Sequence, residues 1–197
     1  MASGKREPLS AGDWTEAALD ALARGGLAAV AVEPLAKALG ATKGSFYWHF
    51  ADRNALLQAT LELWERRSTD RVLAGIDGTQ DGATRLRNLV RLAFLSVQAD
   101  DLGRAGSIEL ALQANASHDL VAPILERVTK RRVVALTELY AALGLTQARA
   151  RDRATLAYTA YLGHAQMAHA TPQLLPQGRA LRPYVERIVT ALVTVGP

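Results

Sequence analysis

Apolar residues recur at three- and four-residue spacing along almost the whole chain, and no stretch alternates Val, Ile and Thr with polar residues as a half-buried strand would. Such stripes must be buried against other helices. The spacing therefore predicts an all-α fold of about nine helices. With 197 residues, 49% of them hydrophobic and 21% charged, the chain can hold a sizeable core. It has no Cys, which excludes disulfides, Cys-based zinc sites and thiol nucleophiles. The first ten residues, MASGKREPLS, lack the apolar segment of a signal peptide, and no apolar run approaches the ~18 residues of a membrane span. A cytoplasmic protein without a membrane partner is expected, and the excess of Arg over Lys suggests a GC-rich bacterial genome.

The glycines and capping residues divide the pattern into elements. Ser10 with Asp13 resembles a capping box, and Leu9 and Trp14 are placed as a hydrophobic staple. The helix they start should stop at Arg24, before Gly25-Gly26. A short second helix is expected over Val32 to Leu39, with Pro34 tolerated in its first turn, ended by Gly40. Thr42 can cap a third helix running to about Phe50, and Asp52 a longer fourth. Ala74 to Thr84, rich in Gly and Asp, reads as a linker. Beyond it, helices are expected near 83–99, 104–114, 119–143, 146–170 and 183–195, with the Pro-rich stretch His169 to Pro183 as a loop before the last.

Four of the eleven aromatic residues of the chain lie within Phe46 to Phe50, FYWHF. Neighbouring helical residues point about 100° apart, so these rings cannot all enter one core. Phe46 and Phe50 lie about 40° apart on the helical wheel and should anchor the helix. Gly44, Ser45 and Trp48 then face away, with Tyr47 and His49 on the flanks. A short helix, a glycine turn and a second short helix make a helix-turn-helix, and this outward set suits a DNA groove. Gly44 allows close approach, and Ser45 and Lys43 can reach base edges. Tyr47, His49 and Arg53 can bond phosphates. Net charge is +4, but residues 1–55 carry six basic and six acidic side chains, so bulk charge does not make the case.

Leu9 to Ala59, and above all the run from Gly40 to Phe50, resembles the DNA-binding domain of TetR-family transcriptional regulators. The resemblance implies DNA contacts at Thr42, Lys43, Ser45, Tyr47, His49 and Arg53. It departs from many relatives at Ala31, where a capping Ser or Thr is usual, and a helix start without that cap is weaker by roughly 1 kcal/mol. It further implies a DNA-binding domain at residues 1–55, followed at 56–197 by a helical domain that binds a small molecule and forms a homodimer.

Within 56–197, polar or aromatic residues interrupt apolar faces at Trp64, Phe94, Gln98, Tyr140, Tyr158, Tyr161 and His164, which are expected to bind the ligand. Ala157, Ala160, Gly163 and Met167, with Val185, Ile188, Val189 and Leu192 of the last helix, are expected to form the dimer seam of a four-helix bundle. The basic run Lys130 to Arg132 with Arg127 reads as a solvated face. His164 and His169 are poorly spaced for a shared metal, and no nucleophile–base pair or phosphate loop suggests catalysis or a cofactor. The expected function is a homodimeric repressor that binds a near-palindromic operator and is released by a small molecule. The competing readings are a ligand-independent regulator or activator of the same fold, and a helical-bundle enzyme or carrier.

Overall fold

The computed structural model describes residues 8–74, 80–97 and 100–194, with side chains outside 69–74 and 100–105. Residues 75–79 of the expected linker, and Gln98 among the expected ligand residues, lie outside the described residues. Nine α-helices occur among them and no strand: α1 (Ala11–Ala29), α2 (Val32–Leu39), α3 (Lys43–Tyr47), α4 (Arg53–Ala74), α5 (Gly82–Ser96), α6 (Asp100–Gln113), α7 (Ala122–Ala141), α8 (Gln147–Ala170) and α9 (Leu181–Val193). Short 3-10 turns at Pro172–Leu174 and Gly178–Ala180 fill the Pro-rich loop. No described helix is long and apolar enough to cross a membrane.

The caps fall where the local chemistry asks for them. Ser10 accepts from the Asp13 N–H, and the Asp13 carboxylate accepts from the Ser10 N–H at 2.7 Å, a full capping box. Asp52 caps α4, its Oδ1 accepting from the Ala55 N–H at 2.8 Å. The expected stop at Gly25-Gly26 is a break rather than an end. Gly26 takes the left-handed φ of 66°, and the chain regains one helical turn before Val30.

Two apolar clusters make the interior. The first joins α1 to α4 with α6 and the start of α7, around Trp14, Leu22, Phe46, Leu57, Leu61 and Ile124. The second joins α5, the end of α7, α8 and α9, around Leu86, Phe94, Tyr140, Tyr158 and Val185. Helix α7 belongs to both: Ile124, Leu125 and Val128 lie in the first, Leu136, Leu139 and Tyr140 in the second.

Candidate functional site

The α2–α3 unit is shaped by two turns of backbone chemistry. Ala31 begins α2 in extended conformation with no side-chain bond to the helix start, as its methyl group dictates. Gly40 ends α2 at a φ of 62°, a left-handed geometry that glycine adopts without strain. The Ala41 N–H then returns to the Ala36 carbonyl at 2.8 Å, closing the end in the manner of a Schellman motif. Thr42 caps α3, its Oγ1 accepting from the Ser45 N–H at 3.2 Å. Regular helix stops at Tyr47, earlier than expected, and one tightened turn carries the chain on: the His49 and Phe50 N–H groups both donate to the Phe46 carbonyl.

Phe46 is fully buried, edge-on to Trp14 at 5.4 Å and stacked on Phe50 at 5.7 Å. Those rings fix which side of α3 looks outward. Thr42, Lys43, Gly44, Tyr47, Trp48 and His49 are exposed, and Ser45 is half-buried. Trp48 is 88% exposed, so it does not pack back on α1. Two expected contacts are already engaged. Lys43 pairs with Glu33 of α2 across the turn. Arg53 is turned inward: its Nε and Nη2 each donate at 2.6 Å, to the Val30 and Leu27 carbonyls. It ties the start of α4 to the corner between α1 and α2: α1 ends at Ala29, and the Leu27 carbonyl there also accepts from the Val30 N–H at 3.2 Å.

The expected ligand residues divide. Glu109 of α6, 2% exposed, accepts from Arg132 of α7 at 2.5 and 2.7 Å and from the Tyr158 hydroxyl at 3.0 Å. Tyr161 reaches the other carboxylate oxygen at 3.4 Å. The Arg132 guanidinium lies 6.0 Å from the Trp64 ring centre and 5.9 Å from that of Tyr158, within cation–π range. Burial opposes the Arg132 charge, but the Glu109 carboxylate beside it more than offsets this and holds it protonated. Burial, reinforced by Glu109, likewise raises the Tyr158 and Tyr161 hydroxyls above the usual phenol range. Alongside, His164 packs between Phe94 at 5.1 Å and Tyr184 at 5.8 Å, and Phe94 meets Tyr161 edge-on at 6.2 Å. So Trp64, Phe94, Tyr158, Tyr161 and His164 share one neighbourhood with Glu109, Arg132 and Tyr184, which the sequence reading missed. Tyr140 belongs elsewhere: its hydroxyl donates to the Leu192 carbonyl at 2.9 Å and pins α7 to the end of α9. A surface groove of about 590 Å3 between α7 and the start of α8, lined by Lys130, Val134, Thr137 and Arg151 among others, contains none of the expected ligand residues.

The expected dimer residues also divide. Ala157, Val185, Val189 and Leu192 are buried in the second cluster of this same chain, because their faces of α8 and α9 close on α5 and α7. Ala160 and Ile188 are half-buried, and Gly163 and Met167 are exposed. The outward stripe of α8 is Leu156, Thr159, Gly163 and Met167, with Leu156 51% and Met167 42% exposed.

Residues 15–72 match the family model of bacterial regulatory proteins of the tetR family. Over these residues the chain carries a TetR-family DNA-binding domain. It is therefore a transcriptional regulator and not an enzyme. Among curated proteins none matches the sequence. Solved structures extend the likeness over the whole TetR fold. A transcriptional regulator from Rhodococcus sp. Rha1 superposes with a TM-score of 0.77 at 20% identity, covering 94% of each chain. A transcriptional regulator from Saccharomonospora viridis in complex with choline gives 0.76 at 17% identity, over 93% of this chain and 94% of that one. The ketosteroid transcriptional regulator KstR2 of Mycobacterium tuberculosis gives 0.65 at 17% identity, over 93% and 92%.

Proposed function

We propose that this regulator is a cytoplasmic, homodimeric TetR-family repressor of a near-palindromic operator, with DNA contacts in residues 1–55 and effector binding and dimerisation in 56–197. The observation that carries the DNA reading is the outward face of α3. Tyr47 at 61% exposure and Trp48 at 88% stand beside exposed Thr42, Lys43, Gly44 and His49, while Phe46 and Phe50 hold the backbone down. A large aromatic left in water on a short helix needs a partner surface. Ser45 and Lys43 read base edges, Lys43 by leaving Glu33, and Tyr47 and His49 bond phosphates.

The seam is drawn from Leu156, Thr159, Gly163 and Met167 of α8 with Ala160 and Ile188. Two copies of α8 and α9 then form a four-helix bundle that sets the spacing of the two recognition helices. The effector enters the neighbourhood of Trp64, Phe94, Tyr158, Tyr161 and His164. Release runs through α4. Arg127 of α7 donates to Glu65 of α4 at 2.7 and 3.0 Å, and Arg132 covers Trp64, so a shift of α7 must move α4.

A gel shift with genomic fragments, followed by footprinting, tests the reading. Two protected half-sites about one helical turn apart are expected. Tyr47→Ala and His49→Ala should each weaken binding to all sequences alike, by about 1.5–3 kcal/mol for a lost bond to a charged phosphate. Unchanged affinity in both variants removes α3 from the interface. Leu156→Asp should split the dimer in sedimentation, and a tight dimer in that variant moves the seam.

A further inference from the structure

Among the described residues, the buried charges of the effector neighbourhood are paired. Its two charged side chains, Glu109 and Arg132, neutralise one another, and the carboxylate also accepts from two tyrosines. Among the described residues there, two buried side chains have polar atoms without a hydrogen-bond partner. One is Arg132, at its Nε, a donor. The other is His164, which is 5% exposed, has both ring nitrogens unpartnered and is flanked by Phe94 and Tyr184. Burial alone lowers its basicity, so the ring is neutral, with one N–H to give and one lone pair to offer. A buried polar group left unsatisfied costs stability, and replacing it by an apolar group of similar shape is neutral or favourable. Packing gives no reason for a histidine here.

Resting on the effector reading above, we infer that the effector is an uncharged, largely aromatic or alicyclic molecule whose single hydroxyl or carbonyl oxygen is bound by His164. A hydroxyl can accept from the imidazole N–H or donate to its bare nitrogen, and a carbonyl can accept from the N–H, so one oxygen answers one of the two open ring nitrogens. The rings of Phe94, Tyr161 and Tyr184 supply the apolar walls. A cationic effector would have to displace Arg132 from Glu109 and from the faces of Trp64 and Tyr158, burying a detached guanidinium. An anionic effector would add an unbalanced negative charge beside Glu109. Choline bound to the Saccharomonospora viridis protein is therefore a poor guide to this chain.

Three probes of one size separate the classes: 4-propylphenol, 4-propylbenzoate and (4-propylphenyl)trimethylammonium. Each is titrated into the 15N-histidine-labelled full-length protein, with the His164 signals assigned through His164→Phe. The phenol is expected to shift the His164 ring signals saturably, leaving His49, His118 and His169 unmoved, while the two ions leave His164 unmoved. His164→Phe should weaken the phenol by about tenfold or more, while raising thermal stability. His164→Asn, which keeps a donor and an acceptor, should retain binding. Preference for either ion, equal phenol affinity in His164→Phe, or no probe shifting His164 each overturns the inference. Operator binding and release are read separately by gel shift. Phenol bound at His164 without release would sink the release mechanism and leave the effector class standing; a shift of His164 in a protein that binds no operator would sink the repressor reading alone.

Discussion

The two interiors handle polarity in opposite ways. Around Phe46 the polar groups have moved to the ends of helices: Ser10, Thr42 and Asp52 cap, and Arg53 satisfies the corner carbonyls, so the cluster itself is almost wholly apolar. Around Glu109 the polar groups sit inside, as an ion pair, two phenols and a histidine with open valences. The first arrangement gives a stiff platform whose chemistry is displayed on the outside. The second keeps its chemistry within and leaves part of it unanswered. Within the first, the Thr60 hydroxyl donates to the Leu56 carbonyl of its own helix, and the Trp14 Nε1 is buried without a partner.

The sharpest contrast is in what truncation does. Phe46→Ala removes a fully buried ring from between Trp14 and Phe50 and should cost about 3–5 kcal/mol in denaturant unfolding. DNA binding should be lost with it, because that ring orients α3. In the second interior a comparable loss, roughly 3–5 kcal/mol, should come from charge instead of volume: Arg132→Met strands the Glu109 carboxylate. Pairing it with Glu109→Gln should restore most of that stability, whereas no second substitution of this kind rescues Phe46→Ala. If the double variant is no better than Arg132→Met alone, the second interior is held by packing as the first is, and the contrast fails.

A smaller effect tests the joint between the two. The hydrogen bonds from Arg127 hold the Glu65 carboxyl below the ordinary glutamate value. Its contribution to stability is present above about pH 4.5 and is lost as pH falls through the lowered folded value. Glu65→Gln should therefore flatten the acid limb of the stability curve below about pH 4.5 while leaving the limb above pH 6 parallel to that of the parent. The smallest expected change is a gain. Ala31→Ser places a hydroxyl at an extended N-cap position that has no side-chain bond, and should add about 1 kcal/mol by thermal melting.

The platform was legible in the sequence because its signals are local. A capping box, a helix-turn glycine and two phenylalanines four residues apart each specify a geometry within one or two turns. Arg53 escaped because its partners are 23 and 26 residues away, at the end of α1, where no residue type announces that the carbonyls will accept a side chain. The polar interior was half legible. Aromatic interruptions of apolar faces identified Tyr158, Tyr161 and His164. Arg132 was hidden in a basic run that looked solvated, yet it continues the buried stripe Leu125, Val128, Leu136 and Leu139 of α7 at helical spacing. Its neighbours Arg127 and Arg131 turn to Glu65 instead. Glu109, set among apolar neighbours in the run Ile108 to Leu112, carried the same hint. Tyr140 misled because its ring is buried like the others, while its hydroxyl answers a backbone carbonyl that only the tertiary fold brings near. The seam residues Val185, Val189 and Leu192 misled for a related reason: bulk on a terminal helix does not say whether its own chain or a second copy covers it.

The inward turn of Arg53 also decides how finely the two ends of the molecule are geared. A joint with backlash absorbs small rotations before its far side moves. Here the first residue of α4 is fastened to Leu27 and Val30, immediately ahead of α2, by two 2.6 Å bonds from one planar group. A rotation of α4 by a few degrees is thus transmitted from its first residue to the α2–α3 unit without slack. With Lys in place of Arg at position 53, a single flexible ammonium could hold only one carbonyl firmly, and the same rotation would be partly lost in the coupling.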